Sequence, residues 1–199
     1  NDIEYTTVWQ GTWTPPPGDG HHHLDGIHVW AVHASTSLTN LKIYSNYIHG
    51  NVGTGAMTGT IYVECNPGTC ANALNYNNLL VATVGSPTNA FIDYKGAGAT
   101  GIKYFSNTIV GTNAGTCMRS GGGTSLEFKN NICFDVATGI SLADASTTMA
   151  ASDYNVFFSL SGNQMYCQTG FKTFANWQST GCSGVASPDA NSLTSDPLF

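Results

Sequence analysis

The feature that most constrains this chain is a repeat, in which alternating apolar residues lead into an asparagine and another apolar residue follows two places later. The five copies carry Asn46, Asn77, Asn107, Asn130 and Asn155, which lie 23 to 31 residues apart. A shorter alternating run stands between successive copies, bounded by turns rich in glycine, serine and threonine. Alternation between such turns is typical of short β-strands, so each unit predicts at least two strands.

A period of this length, made only of strands and turns, favours a coiling chain whose strands lie parallel on those of the preceding coil. One coil cannot bury its own apolar face, whereas stacked coils form a continuous core and align their asparagines in a hydrogen-bonded ladder. We therefore predict an all-β, right-handed parallel β-helix, a solenoid of about five to six coils with a short irregular C-terminal cap. A single domain would span 1–199, with an N-terminal segment at 1–23, stacked coils at 24–160 and the last coil and cap at 161–199. An antiparallel β-sandwich is the alternative, although it gives no reason for asparagine to return once per period.

Composition narrows the class of protein further. Charged residues make up 9% of the chain, against about a quarter in typical globular proteins, which argues against long helices and favours strands and turns. The formal charge of −6 with a single arginine, Arg119, disfavours nucleic acid as a partner. No apolar run approaches the length of a membrane span.

The cysteines indicate an oxidising location. Cys65 and Cys70 bracket a tight turn and are expected to pair, as are Cys167 and Cys182, whereas Cys117 and Cys133 are expected to be buried in alternating runs. Zinc is the rival interpretation, but the chain has no Cys-x-x-Cys pair and its histidines lie far from the cysteines in sequence. Disulfides predict a secreted protein. Because the sequence begins without Met, we expect a mature or trimmed piece of a longer chain or assembly.

The repeated Asn-x-Ile units resemble the right-handed β-helix proteins of the pectate-lyase-like superfamily, of the secreted bacterial type. The run Ser152–Phe157, together with Trp177, Asp189–Ser192 and Asp196–Phe199, is similar to the last coil of such proteins. The segment Pro17–Trp30 resembles an early coil, where a His-x-Asp-Gly-Ile run is common. The resemblance implies the fold but leaves the reaction open, because the superfamily holds lyases, hydrolases, esterases, epimerases, phage spikes and adhesins.

Aligning the shorter runs by their inward apolar residues predicts the outward face of one sheet. In the first run Ile27 and Val29 point inward, so His28 and Trp30 point outward. The alignment gives two outward rows, one of His28, Tyr62, Asp93, Cys117 and Ser141, and the other of Trp30, Glu64, Lys95, Arg119 and Ala143. A slip of one residue would turn a whole run to the other face.

This face combines carboxylates, cations, a phenol, an imidazole and an indole, which suits a polysaccharide. Saccharide contacts are predicted from Trp30, Glu64, Asp93 and Asp25. The alternative is a set of solvent-facing side chains whose ion pairs contribute roughly a few tenths of a kcal/mol each.

The leading hypothesis is a polysaccharide lyase that cleaves an acidic polysaccharide by β-elimination. That reaction needs a base for the C5 proton of a uronide, a cation for its carboxylate and an acid for the leaving oxygen. The resemblance implies Lys95 or Arg119 as base, Tyr62 or His28 as acid, and Glu64 and Asp93 as Ca²⁺ ligands or charge partners. Against it, few cations and a negative net charge oppose a polyanion in the absence of Ca²⁺.

Two other functions remain open. A glycoside hydrolase would use two carboxylates from Asp25, Glu64 and Asp93, although the Asp-Asp pair usual in hydrolases of this fold is missing. A non-catalytic carbohydrate-binding, adhesive or structural β-helix module is the alternative outside enzymes, and it predicts that the outward rows tolerate mutation.

Five of the six histidines lie within residues 18–33. His21, His22 and His23 sit in a loop rich in glycine and proline, and consecutive residues of a strand point apart, so a metal would need Asp19, Asp25 or His49 as well. We therefore expect the three histidines at the edge of the groove or in solvent.

Overall fold

The computed structural model describes residues 1–5, 25–31, 33–54, 58–162, 164–168 and 170–197. Within these ranges the chain forms twenty-one β-strands and one α-helix, α1 (Phe174–Thr180). The strands in chain order are β1 (Asp2–Tyr5), β2 (Ile27–Trp30), β3 (Ser37–Thr39), β4 (Lys42–Tyr44), β5 (Tyr47–Thr54), β6 (Gly59–Glu64), β7 (Thr69–Ala71), β8 (Leu74–Tyr76), β9 (Leu79–Ser86), β10 (Ala90–Lys95), β11 (Ala99–Thr100), β12 (Lys103–Phe105), β13 (Thr108–Val110), β14 (Thr116–Gly121), β15 (Leu126–Lys129), β16 (Ile132–Phe134), β17 (Thr138–Leu142), β18 (Met149–Asp153), β19 (Val156–Phe158), β20 (Met165–Cys167) and β21 (Gly170–Lys172). None of the described segments forms an apolar helix of the length that crossing a bilayer requires.

The strands form four sheets, which differ in their number of strands. The seven-stranded sheet has the order β2-β6-β10-β14-β17-β20-β21, the six-stranded sheet β1-β5-β9-β13-β16-β19, the five-stranded sheet β4-β8-β12-β15-β18 and the three-stranded sheet β3-β7-β11. All neighbouring strands in these sheets pair in parallel except β20 and β21. Each pass of the chain adds one strand to the seven-, five- and six-stranded sheets in turn. The prediction of an all-β chain with parallel sheets is confirmed, and the strand order is compatible with a parallel β-helix.

The asparagine ladder exists, but two of its members were predicted one residue too early. The ladder runs through Asn46, Asn78, Asn107, Asn131 and Asn155, all buried. The predicted members Asn77 and Asn130 instead occupy the bend before it, with φ of 53° and 57°. Asparagine tolerates this left-handed conformation better than most residues, so an Asn-Asn pair can place its first member in the bend and its second in the core.

Every amide of the ladder bonds in the same direction. The Nδ2 atom of each asparagine from Asn46 to Asn131 donates to Oδ1 of the next, at 2.8 to 3.0 Å. The backbone N–H of the same residue donates to that Oδ1 as well. At the last asparagine, Nδ2 of Asn155 donates to the carboxylate of Asp189 at 2.7 Å. The buried amides are therefore hydrogen-bonded and stabilise the stack, whereas unpaired amides would destabilise it.

Inward side chains of the sheets form one apolar core cluster. Within it Tyr104 stacks on Phe128 with ring centroids 4.5 Å apart, and its hydroxyl donates to the backbone carbonyl of Arg119. At the C-terminal end, Thr173 caps α1 and Trp177 is fully buried against the same cluster. The helix thus covers part of the last strands.

All six cysteines form disulfides. The predicted pairs Cys65–Cys70 and Cys167–Cys182 are confirmed. The expectation of merely buried thiols at Cys117 and Cys133 was wrong, because these residues form a third disulfide between β14 and β16. The two cysteines are 16 residues apart and lie in different sheets. Their pairing could not be predicted from sequence spacing, because it depends on how the fold brings the two sheets together.

Candidate functional site

The outer face of the seven-stranded sheet carries most of the predicted site residues. Strand pairing aligns a first outward row of His28, Tyr62, Asp93, Arg119, Ser141 and Tyr166. The prediction placed Cys117 in this row, and it was wrong by two residues in β14. Met118 rather than Thr116 pairs with Ile92, because the larger apolar side chain fills the core. Arg119 therefore faces Asp93 and not Lys95.

The second outward row keeps its first three predicted members, Trp30, Glu64 and Lys95, and continues with Gly121 in place of Arg119. The guanidinium of Arg119 nevertheless lies over Gly121, since a Cβ built there would stand 3.2 to 3.4 Å from its atoms. Glycine at position 121 thus leaves the space that the guanidinium occupies.

Arg119 and Asp93 form an ion pair at the centre of the face. Nη1 of Arg119 lies 3.1 and 2.9 Å from the two oxygens of Asp93, and Nδ2 of Asn89 donates to the same carboxylate at 2.9 Å. The Asp93 side chain is fully buried, whereas Arg119 keeps 23% of its side chain exposed. Burial raises the pKa of Asp93 above its ordinary value, and Arg119 and Asn89 oppose that rise only in part.

Lys95 and Glu64 form a second ion pair, with Nζ 3.3 Å from Oε1. Lys95 is half exposed and Glu64 is mostly covered. Of the two cations on this face, the lysine is therefore the more accessible to a ligand.

An aromatic group occupies the N-terminal end of the face. The His28 ring stacks on Trp30 with centroids 5.9 Å apart and lies 4.9 Å from Tyr62. Trp30 is half exposed and Tyr62 is buried. Burial, followed by the nearby carboxylates of Glu64 and Asp93, raises the pKa of the Tyr62 phenol, so this group stays protonated at neutral pH.

Asp25 lies in a backbone hydrogen-bond network. Its Oδ1 accepts from the N–H groups of Thr58 and Gly59 at 3.0 and 2.8 Å, and Oδ2 lies 3.8 Å from Nδ1 of His28. The side chain is almost fully buried. These contacts hold the start of β6 beside His28, and the saccharide contact expected of Asp25 stays a prediction.

A cavity of about 270 Å³ lies at the other end of the face, lined by Thr116, Thr138, Ser141, Ala143, Tyr166 and Phe171. Ser141 pairs with Arg119 in the sheet, so the cavity adjoins the central ion pair. Phe171 is about half exposed and meets Tyr166 edge to face. Sequence reasoning missed both aromatic residues because they belong to the segment predicted as an irregular cap, where the repeat gives no signal. A larger cavity of about 540 Å³ opens at the N-terminal edge of the sheets, beside Ile27 and Ile43.

The side chains on this face do not assemble a calcium-type ligand set. Within the described ranges, no three His, Cys, Asp or Glu residues cluster as metal ligands would. Glu64 and Asp93 stand in different rows, each facing a cation, whereas Ca²⁺ needs six or more oxygens, roughly, around one point. His49 lies on the six-stranded sheet, where Nε2 bonds Asp2 at 3.0 Å. Asp19, His21, His22 and His23 lie outside the described residues.

Comparison of the chain with family models, with curated proteins and with solved structures finds no match. The likeness to the pectate-lyase-like superfamily therefore depends on the repeat and the strand order.

Proposed function

We propose that the four sheets are the sides of a right-handed parallel β-helix of the pectate-lyase-like type, and that the protein is a secreted, carbohydrate-active protein. The saccharide would lie along the outer face of the seven-stranded sheet. One observation carries this proposal: the Arg119–Asp93 ion pair stands between an aromatic group at one end and an aromatic-lined cavity at the other. Aromatic surfaces flanking a few polar groups are typical of saccharide sites.

The reaction we propose is β-elimination of an acidic polysaccharide. Arg119 would hold the uronate carboxylate with the N–H groups that Asp93 does not use, since guanidinium matches carboxylate geometry. Lys95 would act as the base that takes the C5 proton, because its Nζ is more exposed than the guanidinium of Arg119. The electron pair released at C5 forms the C4–C5 double bond, and the C4–O bond breaks.

The leaving oxygen must then receive a proton. Tyr62 stands next to Asp93 on the neighbouring strand and carries a proton at neutral pH. His28 is the more exposed of the two candidates. The single variants Tyr62→Phe and His28→Gln distinguish them, because only the loss of the true acid lowers turnover for poor leaving groups.

The test is to incubate the protein with polygalacturonate, alginate and neutral glucans, with calcium or with chelator, and to follow ultraviolet absorbance and reducing ends together. Absorbance and reducing ends rising together indicate β-elimination. We expect Lys95→Gln to lower the rate of β-elimination by about 100-fold or more. The far-ultraviolet circular dichroism spectrum of the variant should match that of the wild type, which shows that the fold is kept. Reducing ends without absorbance would instead indicate a hydrolase that uses Glu64 and Asp93. Loss of activity on addition of a chelator would support the expected role of Ca²⁺.

Non-catalytic saccharide binding is the second candidate. It is favoured by the one-to-one pairing of both cations with carboxylates and by the burial of Tyr62. In that case no polysaccharide of the panel is cleaved, and Trp30→Ala weakens binding without any turnover to lose.

A further inference from the structure

The outer face of the five-stranded sheet carries a second group of aromatic and charged residues, which the sequence alone did not reveal. Strand pairing aligns one outward row of Tyr44, Tyr76, Phe105, Lys129 and Asp153, and another of Lys42, Leu74, Lys103, Glu127 and Ala151. Tyr44 and Tyr76 stack with centroids 4.8 Å apart and planes inclined by 2°. Tyr44 is half exposed at the end of this stack.

The lysines of the chain concentrate on this face. Lys42, Lys103 and Lys129 are three of the five lysines in the sequence. One carboxylate, Glu127, serves two of them, with Lys103 at 2.8 Å and Lys129 at 3.2 Å. Lys42 has no ion pair among the described residues.

This arrangement leaves a local surplus of positive charge in a chain whose formal charge is −6. Among the residues that the structure describes on this face, three lysines stand against two carboxylates, Glu127 and Asp153, and Asp153 already accepts hydrogen bonds from Asn191. On the seven-stranded sheet, by contrast, Lys95 and Arg119 each have a carboxylate of their own. An acidic chain is therefore attracted to the five-stranded face more than to the seven-stranded one.

Aromatic and cationic groups alternate closely enough to contact one ligand. Nζ of Lys103 lies 5.9 Å from the ring centroid of Phe105. Lys42 and Lys103 stand on strands separated by β8, so their backbones are about 10 Å apart. A flexible polymer with a carboxylate or sulfate on its sugars can place its charges on the ammonium groups and its ring hydrogens against the half-exposed ring of Tyr44.

We propose that this face is a second, non-catalytic binding surface for an acidic polysaccharide, which keeps the polymer on the protein while another segment of it reaches the seven-stranded sheet. The proposal rests on the proposed function for the choice of an acidic saccharide as ligand and for the second contact of the polymer at the seven-stranded sheet. Binding here requires no turnover, so the two can fail separately.

The experiment measures retardation of the full chain in native gels that contain polygalacturonate or alginate. We expect Lys42→Gln/Tyr44→Ala to weaken retardation by about tenfold in apparent Kd, and the effect to shrink with added salt. Both residues are exposed, so the variant is expected to fold like the wild type. The matched control is Lys95→Gln/Trp30→Ala on the seven-stranded face, which removes the same chemistry from the proposed catalytic site.

A loss of retardation in the first variant that exceeds the loss in the control supports the second surface, whatever the activity assay shows. Equal retardation of the first variant and the wild type overturns it, as does the absence of wild-type retardation. Equal retardation by polyglutamate also overturns it, because a polymer without sugars would then satisfy the surface. If the control variant loses cleavage but is still retarded, the proposed catalytic site and the proposed second binding surface are shown to be different parts of the protein.

Discussion

Asp189 closes the asparagine ladder with a fully buried carboxylate. Its oxygens accept hydrogen bonds from Nδ2 of Asn155, Nε1 of Trp177, and the hydroxyls of Ser152 and Ser192, at 2.6 to 2.8 Å. An asparagine at this position could not accept from all four donors, because its Nδ2 is itself a donor. A single acidic residue thus joins β18, α1 and the C-terminal segment.

Replacement of Asp189 by alanine is expected to destabilise the protein by roughly 3–5 kcal/mol, because four buried donors lose their acceptor. Asp189→Asn should cost less but remain clearly destabilising. The measurement is the urea midpoint of unfolding. Asp144→Asn, a fully exposed carboxylate at a turn, is the control and should leave the midpoint unchanged.

At the scale of strands, the ladder offers a test on two adjacent residues of the same type. Asn78 lies in the ladder and makes bonds to Asn46, Asn107 and the carbonyl of Ile43. Asn77 occupies the bend, with φ of 53°. Asn78→Ala is expected to lower the free energy of unfolding by about 2–4 kcal/mol, and Asn77→Gly to change it by less than about 0.5 kcal/mol, since glycine adopts positive φ freely. Chemical denaturation of both variants decides which asparagine belongs to the ladder.

Periodicity along the sequence was enough to predict strands, parallel pairing and most of the outward rows. It failed where two residues competed for one inward position, as in the choice between Thr116 and Met118 in β14, because spacing alone does not compare their volumes. It failed again for Tyr166 and Phe171, which reach the face through an antiparallel turn outside the repeat. The central Arg119–Asp93 contact depended on that register and so escaped prediction.

At the scale of the whole molecule, the carboxylates of the five-stranded and seven-stranded sheets differ in how their pKa values change on folding. Hydrogen bonding to Lys103 lowers the pKa of Glu127. For Asp153, burial alone would raise the pKa, but hydrogen bonds from Asn191 outweigh it and lower the pKa. Both carboxylates stabilise the fold above their unfolded pKa, and this contribution disappears as the pH falls through their folded values. The contribution of Asp93 to stability depends on pH in the opposite direction. Its pKa is raised in the folded state, so Asp93 favours folding at low pH, and this contribution is lost as the pH rises.

Replacing Glu127 by Gln is therefore expected to flatten the loss of stability on acidification over roughly pH 5 to 3. Thermal unfolding at intervals of pH measures the slope for the variant and the wild type. Lys42→Gln changes a residue of the same face and leaves Glu127 with both of its lysines, so it should keep the wild-type slope. An unchanged slope in Glu127→Gln would contradict the role assigned to the Lys103–Glu127–Lys129 group.

Because its hydrogen bonds all run in one direction, the ladder has two ends that are not interchangeable. Because Asn78, Asn107 and Asn131 each accept on one side and donate on the other, a further unit of about two dozen residues with the same asparagine could be inserted between them without breaking the pattern. No such unit could follow Asp189 in register, because a carboxylate has no hydrogen to pass on. Gene duplication could therefore lengthen the ladder between its existing asparagines, whereas Asp189 ends the run of amide-to-amide hydrogen bonds.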